Sequence, residues 1–419
     1  MNQIKTKKAP YWKKVGNSDW NSWQWQVRNR VTTLEELGQI IHLTDEEMEG
    51  ISKVLRKYRM AITPYYASLM DPDDASCPIR MQAVPTFHES IPGRGDMLDP
   101  LAEDRNTVAA NLVHRYPDRV LLIVTDQCSM YCRFCTRRRL VGIVDKPRPR
   151  SEMEAAFEYI EKTPSVRDVI ISGGDPLIMD EENLEGIISR LRAIPHVEII
   201  RIGTRTPVVC PMRVTPKLIK MLKKYQPIYI NTHFNHPREF SPESTRALGL
   251  LVDGGLPVAN QTVLLRHVNS SATIMRNLVH GLLKHRVRPY YIFQCDLSEG
   301  IEHFRTPISK GIEIMEMLRG HTSGMAVPTF VVDLPGGGGK VPVLPQYLIS
   351  QNEETMVLRN FKGAISVYRG PDDFNCHCST EDEISKLPHA VSSDGLAKLF
   401  SGERLSIEPK DCEESDGNE

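Results

Sequence analysis

From Arg119 onward the chain alternates short apolar runs with amphipathic stretches, and this rhythm restricts its fold more than any other feature. The runs are VLLIVT (120–125), DVIIS (168–172), VEIIRIG (197–203), PIYINTHF (227–234), VANQTVLL (258–265) and RPYYIFQ (288–294). Each has the length of a strand, and segments with helical periodicity separate them. Helix starts are legible too. Ser151 followed by Glu154 reads as a capping box. Thr215-Pro216 and Ser241-Pro242 each read as an N-cap with proline at the first helical position. Strand–helix alternation calls for a parallel sheet covered by helices. Six such units predict an α/β fold, a partial (β/α)6 barrel or a wound open sheet, with ligands gathered at the C-terminal ends of the strands.

The flanks read differently. Residues 1–104 carry a Trp-rich segment, DWNSWQWQVRNR, then helical patterning over Asp45–Arg59, then a Pro- and Asp-rich linker. Residues 105–345 hold the barrel. Beyond them, 346–419 read as a loop-rich C-terminal extension, including ISVYRGPDDFNCHCSTEDE, with an acidic tail expected to be disordered.

Charge and composition exclude several classes. A net charge of −1 offers no electrostatic footprint for nucleic acid. No run approaches the ~18 apolar residues of a membrane span, and the basic N-terminus is not followed by the apolar run of a secretory signal. A soluble cytoplasmic protein is expected. Nine cysteines in 419 residues are too few, and odd in number, for a disulfide framework. Clustered cysteines in a reducing compartment point to metal.

The cluster is Cys128-Ser-Met-Tyr-Cys132-Arg-Phe-Cys135, directly after the first strand of the alternating region. Three thiolates at these spacings can ligate three irons of an iron–sulfur cluster, which normally uses four cysteines. One iron then stays open for a ligand. A zinc site would need a fourth Cys or His nearby, and Thr136-Arg137-Arg138-Arg139 follows instead. After the second strand comes Ser172-Gly173-Gly174-Asp175, where glycines would let backbone approach a ligand.

A second cofactor is suggested by Asp333-Leu-Pro-Gly336-Gly337-Gly338-Gly339-Lys340. The run lacks P-loop spacing, and no Ser or Thr follows the lysine. It reads either as a flexible linker or as a loop presenting a Schiff-base lysine to pyridoxal phosphate, whose phosphate would need cations such as Arg115 and Arg119.

The cysteine motif and the Gly-Gly-Asp element resemble the radical S-adenosylmethionine superfamily. The segments HRYPDRVL, CSMYCRFCTRRR, VRDVIISGGD, IPHVEIIRIGTRTPVV, NTHFNHP, RVRPYYIFQCDLS and PTFVVDLPGGGGK, in that order, resemble the lysine 2,3-aminomutase family within it. The resemblance implies a 4Fe–4S cluster on Cys128, Cys132 and Cys135, and S-adenosylmethionine (SAM) bound near Gly173, Gly174, Asp175, His233 and Gln261. It implies pyridoxal phosphate (PLP) on Lys340, held by Arg115, Tyr116 and Arg119. Arg137 would pair with the substrate carboxylate. The implied reaction interconverts L-lysine and L-β-lysine by 1,2-amino migration, started by a 5′-deoxyadenosyl radical. Free lysine would be the substrate, flavodoxin or ferredoxin the reductant, and the assembly a homo-oligomer.

Asp296 and Asp333 occupy the positions implied to bind the substrate's far ammonium. A buried ammonium needs anionic partners. Two carboxylates disfavour glutamate, and an arginine substrate would also suit them, so arginine or glutamate aminomutase is the alternative. Two departures from the family pattern stand out. Phe293 replaces an expected tyrosine beside PLP. The C-terminal zinc pattern retains Cys376 and Cys378, but Glu381 and Ser271 stand where the other cysteines would be, so zinc is not expected.

Overall fold

The computed structural model describes residues 8–352 and 355–370. They form two units, divided between Pro345 and Gln346.

The first unit is built on a ten-stranded sheet in which every strand pairs with its sequence neighbour. The strands are β1 (Thr107–Ala109), β2 (Leu112–Tyr116), β3 (Arg119–Thr125), β4 (Asp168–Gly173), β5 (Ile199–Gly203), β6 (Ile228–Thr232), β7 (Val258–Leu264), β8 (Arg288–Gln294), β9 (Thr329–Leu334) and β10 (Gly339–Pro342). Strands β3 to β9 run parallel. β1, β2 and β10 add antiparallel edges. Among the helices between the parallel strands, the six longer ones are α1 (Arg150–Lys162), α2 (Glu181–Arg192), α3 (Pro216–Lys223), α4 (Pro242–Asp253), α5 (Ala272–Lys284) and α6 (Ile308–Leu318).

All six expected strands are present. Thr215 and Ser241 cap α3 and α4, each accepting a hydrogen bond from the backbone three residues on. The expected capping box at Ser151 does not form. Helix α1 starts at Arg150 with Pro149 as its N-cap, so Ser151 falls inside the first turn, beyond the position from which it could cap. Sequence reasoning also missed the edges. His114–Arg119 is the β2–β3 hairpin, and the Gly-rich run is the β9–β10 turn. Gly336, Gly337 and Gly339 in that turn have φ of 71°, 90° and 87°, conformations that suit glycine.

Period-two burial decides where the cavity lies. Val120, Leu122, Val169, Ile171, Ile200, Ile202, Ile228 and Ile230 face the helices and join the core. The alternate positions, among them Arg119, Asp168, Ser172, Arg201, Tyr229, Asn231, Gln261 and Phe293, face the concave side. Because the sheet is open, these side chains do not meet in the packed layers of a closed barrel. They leave a cavity of about 770 Å³. It extends from the C-terminal strand ends down to Arg119, Asp168 and Arg288 at the N-terminal ends, further than the expected gathering at the C-terminal ends alone.

The N-terminal region packs into this same unit, and Trp20, Ile51, Tyr65 and Tyr66 share the barrel's core. Its helix Asp45–Leu55 starts with a Thr44–Glu47 capping box. Tyr66 Oη donates to Glu239 at 2.9 Å and Tyr65 shares a 2.6 Å hydrogen bond with Ser241, both buried. Among the described residues no helix is long and apolar enough to cross a membrane.

The second unit contains an antiparallel sheet of β11 (Leu348–Gln351), β12 (Thr355–Arg359) and β13 (Ile365–Arg369). ISVYR is thus a strand rather than a loop, with all five of its residues exposed. Cys376, Cys378 and Glu381 lie outside the described residues. Ser271 is the N-cap position of α5, without a side-chain capping bond.

Candidate active site

Cys128, Cys132 and Cys135 sit on the loop after β3 and line the cavity wall. This loop is held from several sides. Arg30 NH1 donates to the Cys128 carbonyl at 2.5 Å, and its NH2 pairs with Asp145 at 2.6 Å. Arg133 and Arg138 both pair with Glu89, whose side chain is fully buried. From β4, the Gly174 and Asp175 N–H groups donate to the Thr125 and Gln127 carbonyls at 2.6 and 2.7 Å. A Cβ on Gly173 would lie 2.2 Å from Thr125 O, and one on Gly174 2.1 Å from Gln127 O. The glycines therefore bring β4's end against the cysteine loop, a closer reason for their presence than contact with a ligand.

Burial raises the Cys128 thiol well above its usual range, helped by Asp175 and the other two cysteines. Burial and Cys132 push Cys135 up to about 11. Metal would relieve this cost by taking the thiolates. Among the described residues no three His, Cys, Asp or Glu groups converge on the place of one ion. The donor set fits a multi-iron cluster, which takes each thiolate on a different iron.

Beside the cysteines, Gly173, Gly174, Asp175, His233 and Gln261 line the same cavity. Asp175 is buried and accepts from Thr204 Oγ1 at 2.6 Å, Arg205 N at 2.8 Å and Leu177 N at 3.1 Å. Burial, then Arg205, lowers His233 to about 4, so its imidazole is neutral at neutral pH.

Lys340 stands on β10, in register with Asp333 on β9. Its Nζ donates to Asp333 Oδ1 at 3.1 Å and lies 5.3 Å from the centre of the Phe293 ring. Tyr116 Oη accepts from the Lys340 N–H at 3.1 Å. Arg115 Nε donates to Gly337 O at 2.8 Å, while its NH2 is buried without a hydrogen-bond acceptor and 3.9 Å from Asp333. Arg119 stacks over Tyr116 at 4.1 Å. A buried guanidinium nitrogen lacking an acceptor, beside a lysine and a second arginine, fits an anionic cofactor such as PLP.

Asp296, after β8, lines the cavity with Asp333. Burial, then Asp333, pushes its carboxyl up to about 7. Arg137 also lines the cavity, but its Nε and NH2 grip Glu103, at 2.8 and 2.5 Å. Its NH1 edge has a 3.4 Å contact with Ser172 Oγ. Sequence reasoning did not single out Glu103, Arg201, Arg205 or Arg288. The available signal was a charge inside an apolar strand, as Arg201 is in VEIIRIG.

Two family descriptions match the chain: the Radical SAM superfamily over residues 122–271, and Lysine-2,3-aminomutase over 315–419. The chain is 55% identical to the L-lysine 2,3-aminomutase of Fusobacterium nucleatum, over 98% of this chain and 96% of that protein. It is 56% identical to the L-lysine 2,3-aminomutase of Clostridium subterminale, over 95% of each. Identity to the glutamate 2,3-aminomutase of Clostridioides difficile is 46%, over 83% of this chain and 82% of that protein. On this full-length similarity, and with the cysteine loop and Lys340 facing one cavity, the chain belongs to the lysine 2,3-aminomutase family of the radical SAM superfamily.

Proposed function

We propose that this protein interconverts L-lysine and L-β-lysine. The observation that carries the reading is the pair Asp296 and Asp333 beside Lys340, in a cavity that the three cysteines also line. Two carboxylates in a closed site favour a substrate with a distal cation and disfavour glutamate by repulsion.

Cys128, Cys132 and Cys135 would hold the 4Fe–4S cluster, with SAM beside Gly173, Gly174, Asp175, His233 and Gln261. Lys340 would hold PLP, with Arg115, Tyr116 and Arg119 around its phosphate end. When bound, these groups supply a carbon-centred radical and a π bond able to carry the migrating nitrogen. The chain's own residues do the placing. Arg137 offers its cavity-facing NH1 edge to the substrate carboxylate. Asp296 and Asp333 fix the far ammonium. Fixing both ends of lysine would set the reacting carbon against both cofactors. Neutral His233 can hydrogen-bond without adding charge near the cysteines. The same reading includes a homo-oligomer in the cytoplasm, reduced by a low-potential donor such as flavodoxin or ferredoxin.

Arginine is the second reading, since its guanidinium also matches two carboxylates. The test is anaerobic reconstitution with iron, sulfide and PLP, then incubation with SAM, dithionite and separate lysine, arginine and glutamate. β-Lysine as the dominant product is expected. Preferential turnover of arginine or glutamate overturns the assignment.

A further inference from the structure

A buried arginine reaches the sulfur of one of the three cysteines, and nothing in the proposed substrate or PLP sites requires it. Arg205 follows β5. Its NH1 donates to Cys132 Sγ at 2.9 Å. Its NH2 donates to Gln82 Oε1 at 2.5 Å and Glu239 Oε1 at 2.8 Å, and its Nε to the His233 carbonyl at 3.2 Å. Its own backbone N–H donates to Asp175. The Arg205 side chain is 8% exposed and that of Glu239 is fully buried. Phe134 closes one face, with its ring centre 5.0 Å from Arg205 Cζ. Partners on every other nitrogen fix the guanidinium, so NH1 is aimed at the sulfur rather than free to swing.

We propose that Arg205 sets the reduction potential of the iron–sulfur cluster through a charge-assisted hydrogen bond to the Cys132 sulfur, and that Glu239 holds it in place. The inference rests on the reading that Cys128, Cys132 and Cys135 carry a cluster. Its physics is simple. One electron from an external low-potential donor enters the cluster, the donor is oxidised, and no proton moves. The added negative charge spreads onto the ligand sulfurs. A fixed cation in a low-dielectric wall stabilises that reduced form more than the oxidised one. Glu239 offsets part of the positive charge, but it grips NH2 whereas the sulfur meets NH1. The guanidinium is therefore the charge nearer the sulfur, and the potential is raised. Arg205 also joins the ends of β4, β5 and β6 to the cysteine loop, through Asp175, its own backbone and the His233 carbonyl.

The test is an anaerobic redox titration of the reconstituted holoenzyme without SAM, following the reduced cluster by electron paramagnetic resonance. Iron, labile sulfide and circular dichroism are recorded for every variant. In Arg205→Gln, the equilibrium constant for reduction by the same donor is expected to fall at least tenfold, about 59 mV more negative for one electron. Arg205→Lys keeps the charge and should recover part of that shift. Glu239→Gln removes the offsetting charge and should move the potential in the positive direction. An unchanged potential in fully loaded Arg205→Gln overturns the proposal. If that variant does not load, Arg205→Lys decides: a potential more negative than that of the unaltered protein supports the proposal, and an unchanged one overturns it. Absence of iron and sulfide from the unaltered protein would instead sink the proposed function itself.

Discussion

Lys340 Nζ is paired at 3.1 Å with Asp333 Oδ1, directly across the β9–β10 register. The amine proposed to hold PLP thus rests against a carboxylate proposed to hold the substrate's far ammonium. Holding the cofactor would engage the Lys340 amine and weaken its pairing with Asp333. Lysine should therefore bind at least several-fold more tightly to PLP-loaded protein than to protein without PLP, as read by calorimetry. Lys340→Ala should lose the cofactor's absorbance band and about 10³-fold or more in turnover, as expected for a group with no substitute. Equal affinity with and without PLP would contradict this arrangement.

Asp296 gives the site a pH dependence. Burial, with Asp333 adding to it, raises the Asp296 carboxyl to about 7. A carboxyl raised in the folded state binds its proton more tightly than in the unfolded chain. Its contribution to stability is therefore present at low pH and is lost as pH rises through about 7. Lysine's side-chain ammonium stays charged throughout this range and favours ionised Asp296. Lysine affinity should consequently weaken as pH falls below 7, approaching tenfold per unit. Asp296→Asn should flatten this slope and cost about 2–5 kcal/mol of binding. A KM constant from pH 6 to 8 in the unaltered protein would count against the role.

Glu103 holds the Nε–NH2 edge of Arg137 and leaves the NH1 edge facing the cavity. Removing the charge in Glu103→Gln weakens a charged hydrogen-bond pair worth about 1.5–3 kcal/mol. If the pair positions Arg137 for the substrate carboxylate, KM for lysine should rise about tenfold or more while kcat changes little. A fall in kcat at constant KM would assign Glu103 to another step.

Two glycines should respond to different degrees. Gly173 has φ of 131°, and its substitution places a Cβ 2.2 Å from Thr125 O, backbone that cannot swing away. Gly173→Ala should lose about 3 kcal/mol or more of stability and, by displacing the cysteine loop, most of its iron. Gly336 has φ of 71°, but a Cβ added there would meet nothing within 4 Å. Gly336→Ala should cost only about 1–2 kcal/mol and retain iron. Thermal melts with iron analysis separate the two cases.

Much of this was legible in the sequence for a physical reason: local rules wrote it. Strand length, helical periodicity and the Thr215 and Ser241 caps depend on neighbours within one turn, and all six strands emerge as expected. The three cysteines stood out by residue type and spacing, whereas Lys340 was singled out by the family resemblance, since its glycine-rich run also read as a linker. Ser151 failed as a cap because the competing Pro149 start shifts the helix, a choice the local pattern left open.

By itself, the sequence determined the alternating α/β order, the spacing of the three clustered cysteines, and a lysine at the end of a glycine-rich run. Tertiary structure alone decided which face of each strand became the cavity wall, and so brought Arg201 and Asn231 inside rather than out. It also decided the long-range partners: Glu103 on Arg137 across 34 residues, and Arg205 on Cys132 across 73. Pairings at that separation arise when the sheet curves and the N-terminal region packs against it. Short-range periodicity carries no information about them.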